Sequence, residues 1–269
     1  MKIFKGGMLA IYALLIIIPI VSIFFTTFKS SKEMYDNILG LPSSFTFANY
    51  IELFASKTMS TYFMNSVIVT IFSVTFTLFF ASLIAYALTR MSNWFGNSIF
   101  ALFTLGMMVP AQVNMSPLYD LVYSLGLTNT RIGLIVVNTA VTLPVAVFIL
   151  TGFMKSLPRS LFEASMMDGA SNWAIYRRIA IPLSLPSLAA TSIFLFVMHW
   201  NDLFYPLLFI TENKYKTLPL ALLEFQGEYI TNYPMLFTGV IIASAPMVIA
   251  YVFLQRYFIA GMTAGSVKG

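Results

Sequence analysis

The chain has 269 residues, 59% of them hydrophobic and only 9% charged, with a mean hydropathy of +0.84. A soluble domain is about 25% charged and about half apolar, so no soluble fold of this size could hide 26 phenylalanines together with the leucines, isoleucines and methionines; a cytosolic enzyme, a nucleic-acid-binding module and a disordered chain are excluded. The 15 basic residues outnumber the 10 acidic ones but are dispersed, which reads as a membrane orientation signal, and the absence of cysteine removes disulfides, thiol catalysis and thiolate metal sites.

Charged side chains are the costliest groups to place in hydrocarbon, so the stretches between them mark the spans. Six charge-free windows exceed 20 residues: 6–28, 58–89, 91–119, 132–154, 179–201 and 229–255. The next, 37–51, has 15 residues and carries Gly40 and Pro42. A spanning helix needs about 20 apolar residues. The pattern predicts an all-α integral membrane protein, one transmembrane domain over 1–269 with six helices at about 8–28, 62–89, 98–119, 132–154, 183–208 and 233–256.

The first window follows Lys2 and Lys5, as a signal peptide would. Its apolar run is longer than a signal core and no A-x-A-like site precedes Lys29, so it reads as a retained helix. With the N-terminus inside, the inner set of basic residues is Lys2, Lys5, Arg90, Lys155, Arg159, Arg177, Arg178, Arg256 and Lys268; the outer set is Lys29, Lys32, Lys57, Arg131, Lys214 and Lys216. Nine against six places both termini in the cytoplasm. The long connections are then an outer one from Lys29 to about residue 61, a shorter outer one near 120–131, a single inner one at 155–182 and a last outer one at 209–232.

The inner connection carries the clearest local pattern. Pro158 suits the first turn of a helix, Leu161, Phe162, Ser165 and Met166 share one face, and Gly169 can end the helix in a left-handed turn. Ser171 is a good N-cap for a second short helix through about Ile179, and Pro182 halts it and starts the next span. Spacing alone leaves two readings open: an interfacial hairpin with Arg177 and Arg178 on lipid phosphates, or an element that docks into a groove of another protein.

At these residues the sequence resembles the permeases of ABC importers. Glu163-Ala164-Ser165, Gly169 and Ile179-Ala180-Ile181-Pro182 match the EAA motif E-A-A-x3-G-x9-I-x-L-P with its spacing intact, Ser165 replacing an Ala and Ile181 a Leu. Asn65-Ser66 and Ala85-Tyr86-Ala87-Leu88-Thr89-Arg90 at the two ends of the second span resemble the carbohydrate-uptake branch, which includes the smaller membrane subunit of the maltose transporter. So do Pro110, Gln112 and Pro117-Leu118-Tyr119 before Leu125-Gly126-Leu127, Trp200-Asn201-Asp202 before Pro206-Leu207, and the tail from Gly261 to Gly269.

The resemblance implies the type I importer permease fold in a bacterial-type inner or plasma membrane, working by alternating access. It implies as partners a second homologous permease, two copies of an ABC ATPase, an extracytoplasmic sugar-binding protein and membrane lipid, with no nucleic acid. It implies further that Glu163, Ala164, Ser165, Met167, Asp168, Gly169, Ile179 and Pro182 form the ATPase-coupling loop. The last outer loop, with Tyr215, Phe225, Gln226, Gly227 and Tyr229, would reach the binding protein. Asn65, Gln112, Asn114, Asn201 and Asp202, with Asn138, are candidates for the substrate pathway, although interhelical hydrogen bonding is the competing role for each.

The energy source is argued independently. No G-x-x-x-x-G-K-[ST] loop occurs, so no nucleotide binds this chain in the P-loop manner; ATP and magnesium belong on the partner ATPase, and no cofactor or metal is expected here. The six windows hold one ionisable side chain, His199, which suits a hydrogen-bonded packing role better than a proton relay. A self-sufficient secondary carrier therefore lacks its relay. An intramembrane hydrolase lacks a G-x-S-x-G sequence and a partnered Ser.

Overall fold

The computed structural model describes residues 2–38, 40–55, 57–91, 94–225 and 231–264, the side chains of 2–4, 57 and 254–264 excepted. In chain order the helices are α1 (Lys2–Thr26), α2 (Ser31–Asp36), α3 (Ala48–Ala55), α4 (Lys57–Arg90), α5 (Trp94–Gly106), α6 (Met115–Ser124), α7 (Arg131–Lys155), α8 (Arg159–Met167), α9 (Asn172–Ile175), α10 (Ile181–Leu183), α11 (Leu185–Trp200), α12 (Phe204–Phe209), α13 (Leu218–Leu222) and α14 (Tyr233–Ala264). A π-turn, Tyr176–Ala180, joins α9 to α10. No strand occurs among the described residues.

Among the described residues four helices are long and apolar enough to cross a membrane: Lys5–Thr26, Thr58–Arg90, Arg131–Lys155 and Tyr233–Phe253. The pair Asn172–Leu183 and Leu185–Trp200, bent by 73° at Ser184, is apolar enough to make a fifth if it counts as one broken span. Pro186 contributes to this bend, because it has no N–H for the Pro182 carbonyl four residues back and its ring collides with that carbonyl. The sequence predicts a single helix over 98–119, and here the structure differs. α5 stops at Gly106 after 13 residues, roughly 20 Å of helix. Turns fill 107–114, where Pro110 lacks an N–H and biases Val109 away from helix, before α6 begins. The expected 183–208 helix is likewise broken, at residues 201–203 between α11 and α12.

The chain divides into two compact units. The first holds Met1–Met64 and Lys216–Met247. Its α1 leaves apolar side chains from Met8 to Val21 exposed, as a lipid-facing helix does. The connection after it, expected as a loop, folds into α2 and α3. Ser30 caps α2 by accepting from the Glu33 N–H at 3.2 Å, and the Glu33 carboxylate accepts the Ser43 N–H. Asn49 donates to the Thr27 and Lys29 carbonyls at 2.7 and 2.9 Å. Lys29 is only 1% exposed and donates to the Asn37 carbonyl at 2.7 Å. A ring cluster centred on Phe28 closes this cap.

The second unit holds Asn65–Tyr215 and Val248–Gly269. α7 is its centre, packed by α5, α11 and α12. Lipid supplies no hydrophobic drive between helices, so close packing and polar bonds must join them. Ala81, Ala85 and Ala146 have no exposed surface, and Phe100 stacks on Phe148 at 6.0 Å. A buried polar chain crosses three helices: Thr77 of α4 to Thr142 of α7, and Thr142 to the His199 ring of α11, each at 3.3 Å.

Candidate functional site: an exposed helical element and a polar cavity

Two features of the second unit hold the residues singled out by the sequence. The first is the α8–α9 element. α8 starts at Arg159 directly after Pro158 and ends in a Schellman motif: Gly169, at φ +77°, donates to the Met166 carbonyl, and Ala170 donates to that of Ser165, both at 3.0 Å. Ser171 then caps α9, accepting from the Ala174 N–H at 3.3 Å. The helical path does not halt at Pro182, as the sequence suggested. It widens into the π-turn, where Ile181 N–H reaches the Tyr176 carbonyl, and this wider turn accommodates a proline that has no N–H for the Arg178 carbonyl.

One face of the element is anchored. Phe162, Ile175, Tyr176 and Ala180 are buried in the unit's core. The Tyr176 hydroxyl bonds Ser82 of α4 at 2.8 Å, and its ring lies 5.5 Å from that of Tyr86. The other face is bare. Glu163, Ala164, Asp168 and Gly169 are exposed, and Met167 is 88% exposed, an apolar knob uncovered by the described residues. Ser165 is half-buried, its hydroxyl turned back to the Leu161 carbonyl at 2.8 Å. Ile179 is half-buried against the core and Pro182 is exposed. The motif residues thus divide into an outward set and an anchoring set.

The second feature is a cavity of about 700 Å³ among the turns at 107–114, α6, α7 and the α11–α12 break. Gln112, Asn114, Asn138, Thr142, His199 and Asp202 supply its polar lining, beside Phe204 and Tyr205; no Lys or Arg lines it. Asn138 is 2% exposed, and its Nδ2 has no hydrogen-bond partner. The Asp202 Oδ1 accepts the Tyr205 N–H at 3.3 Å, and the Phe204 N–H and the Asn138 side chain also lie beside its carboxylate. The Asn138 amide and the Asp202 carboxylate are neighbours at one apolar-walled cavity, where a polar ligand or water can join them.

The remaining candidates lie elsewhere. Asn65 is fully buried, with Nδ2 donating to the Lys214 carbonyl at 2.9 Å and Oδ1 accepting from Arg131 Nε at 2.7 Å; both ends are committed to holding the fold, and it does not line the cavity. Asn201 is exposed and donates back to the Val197 carbonyl at 2.8 Å. Of the last loop, Tyr215 lies under the Lys214 ammonium at 4.7 Å and Phe225 is half-buried. Gln226, Gly227 and Tyr229 lie outside the described residues, as does the tail from 265 to 269. Sequence reasoning missed Asn129, whose φ of +53° sets its Oδ1 to accept the backbone N–H groups of Thr211 and Glu212 at 2.7 and 3.0 Å. Asparagine before the cap of α7 was the available signal, since asparagine tolerates positive φ.

A family profile described as "Binding-protein-dependent transport system inner membrane component" matches residues 77–264, which include both features. The chain belongs to this family, and it is accordingly a multi-pass membrane permease of the ABC importer type rather than an enzyme. Among its relatives is the arabinooligosaccharides transport system permease protein AraQ of Halalkalibacterium halodurans, 35% identical over 97% of this chain and 94% of that one. The melibiose/raffinose/stachyose import permease protein MelC of Bacillus subtilis is 35% identical over 92% of this chain and 90% of the relative. The multiple sugar-binding transport system permease protein MsmG of Streptococcus mutans is 34% identical over 98% and 96%. A chain from the crystal structure of a bacterial ABC transporter that imports the acidic polysaccharide alginate shares the fold, with a TM-score of 0.86 over 96% of both chains at 22% identity.

Proposed function

We propose that the chain is the smaller membrane subunit of a sugar importer, paired with a second permease and driven by two ATPase subunits that carry the ATP and magnesium. The single observation that carries this reading is the α8–α9 element. It is rooted in α4 by Tyr176 and Phe162 and presents Glu163, Met167 and Asp168 exposed, with none of the described residues covering them. A rigidly anchored helix with a bare apolar knob suits insertion into a partner's cleft, and it would pass the closure of the motor directly to α4 and α11. In this reading the element faces the cytoplasm, both termini lie on that side, and the loop at 209–232 faces the binding protein.

The relatives named for sugars support a saccharide cargo. The cavity favours a sugar without acid groups, because amides, a hydroxyl, one carboxylate and aromatic faces line it and no cation does. Asn138 Nδ2 as donor and Asp202 Oδ2 as acceptor would take a sugar hydroxyl from either side during passage in alternating access. A di- or oligosaccharide is the expected size class.

The test is purification of the tagged chain from its native host in mild detergent, with mass identification of what co-elutes. A second permease and a P-loop ATPase should be recovered, and Met167→Glu should lose the ATPase while keeping the permease. Full ATPase recovery with Met167→Glu overturns the coupling role. Once the cargo is known, Asp202→Asn should slow uptake without changing recovery of the complex; unchanged uptake in Asp202→Asn and Asn138→Ala removes the cavity from the pathway.

A further inference from the structure

A second cavity, of about 520 Å³, lies at the foot of α4, α7 and α8; it shares Glu163 with the α8–α9 element, but its three basic residues are not accounted for by coupling or by passage. Arg90, Lys155 and Arg159 line it together with Asn97, and Glu163 is the one carboxylate among its lining residues. Three cations from three different helix ends share one concavity, with a net charge of +2 from these four groups.

Their neighbours do not neutralise them. The Arg90 guanidinium lies 5.7 Å from the centre of the Phe162 ring and donates to the Met166 thioether, a weak acceptor. The Lys155 ammonium stands 4.9 Å from the centre of the Phe100 ring. Rings and a thioether orient a cation and leave its charge standing. Among the described residues none of the three is ion-paired. The first turn of α8 carries no acidic residue either. Three cations facing a single carboxylate, Glu163, leave an excess of positive charge that an added anion would offset.

The surroundings point to the source of that anion. Met91 lines the cavity, and three residues further on α5 opens with Trp94, 80% exposed, and Phe95, 56% exposed. An exposed Trp at the end of an apolar helix belongs at the head-group level of a bilayer. Basic pockets between helices on that side take lipid phosphates.

We propose that this cavity is a phosphate-anion site whose ligand is a phosphodiester head group of an acidic phospholipid. The phosphate bridges Arg90 and Lys155, at the ends of membrane helices, to Arg159 at the start of α8. It thereby fixes the angle at which the α8–α9 element leaves the membrane.

The test uses the full chain purified in neutral detergent and follows its thermal unfolding midpoint. Short-chain phosphatidylglycerol, matched phosphatidylcholine and inorganic phosphate are titrated separately, since a ligand that binds only the folded state raises the midpoint. Phosphatidylglycerol should raise it saturably and phosphatidylcholine should not. Arg90→Gln with Lys155→Gln should weaken the apparent affinity roughly thirtyfold. Arg159→Gln alone, at an exposed position, should weaken it about fivefold and serves where the double variant fails to fold. Inorganic phosphate that competes with phosphatidylglycerol supports the anion site and shows that the phosphate suffices without the acyl chains. Equal shifts with both lipids, no shift with phosphatidylglycerol or phosphate, or an affinity unchanged in Arg159→Gln overturns the proposal.

Discussion

Gly169 and Gly152 have the same empty surroundings: a Cβ added at either meets no atom within 4 Å. They differ in backbone alone, since Gly169 holds φ +77° while Gly152 lies inside α7. Replacing Gly169 by alanine should therefore cost about 1 kcal/mol of local stability, because a Cβ is disfavoured in the left-handed region. Gly152→Ala should cost nothing or help, as alanine favours helix. Hydrogen exchange over 165–171 and sugar uptake compare the two; equal effects would refute a conformational role for Gly169. This residue was legible in the sequence because a glycine after an amphipathic turn has few other uses. Asn65 was not, because a polar residue in a span reads the same whether it meets cargo or a neighbouring helix. Only its bonds to Arg131 and Lys214 decide.

The α8–α9 element moves with α4 only if its anchor holds. The Tyr176–Ser82 bond is buried, and Ser82 keeps a second bond to the Phe79 carbonyl at 2.9 Å. Tyr176→Phe should then destabilise by about 1 kcal/mol, and Ser82→Ala by a similar amount. The double variant should lose less than the sum, with a coupling term of about 1 kcal/mol in thermal unfolding of the chain; strict additivity would show that the two do not communicate. A second element-scale device sits in the cap of the first unit. Hydrogen bonds from Ser43 hold the Glu33 carboxyl below its ordinary pKa of 4.5. A lowered pKa in the folded state contributes stability above 4.5 that is lost as pH falls through the lowered value. Hydrogen exchange at 40–45 should accelerate in that acid range, and Glu33→Gln should abolish the pH dependence. The sequence presents this cap as a loop because its two short helices hold through side-chain bonds, Asn49 to Thr27 and Lys29 to Asn37, which no periodicity announces.

At the scale of the whole molecule, orientation is open to direct measurement because the chain has no cysteine of its own. Met167, 88% exposed on α8, and Leu41, 67% exposed after α2, are convenient single-cysteine positions. With a membrane-impermeant maleimide and the chain produced without its ATPase partner, Leu41→Cys should label in intact cells and Met167→Cys only in inverted vesicles. The reverse pattern would invert the topology and place the α8–α9 element outside.

Composition and charge spacing alone determined that this chain lives in a membrane and roughly where its apolar stretches lie. These follow from the cost of placing charge in hydrocarbon, which is paid residue by residue and needs no knowledge of neighbours. Tertiary structure decided the rest. The window at 91–119 holds two helices instead of one, because Pro110 and the turns beside it divide an otherwise apolar stretch. Gln112 and Asn114 meet Asn138 and Asp202 at one cavity, whereas Asn65 and Asn201 are engaged elsewhere. Arg90, Lys155 and Arg159, up to 69 positions apart in the chain, meet at another cavity. A polar side chain's role depends on which groups satisfy it, and helix packing alone brings those groups within reach.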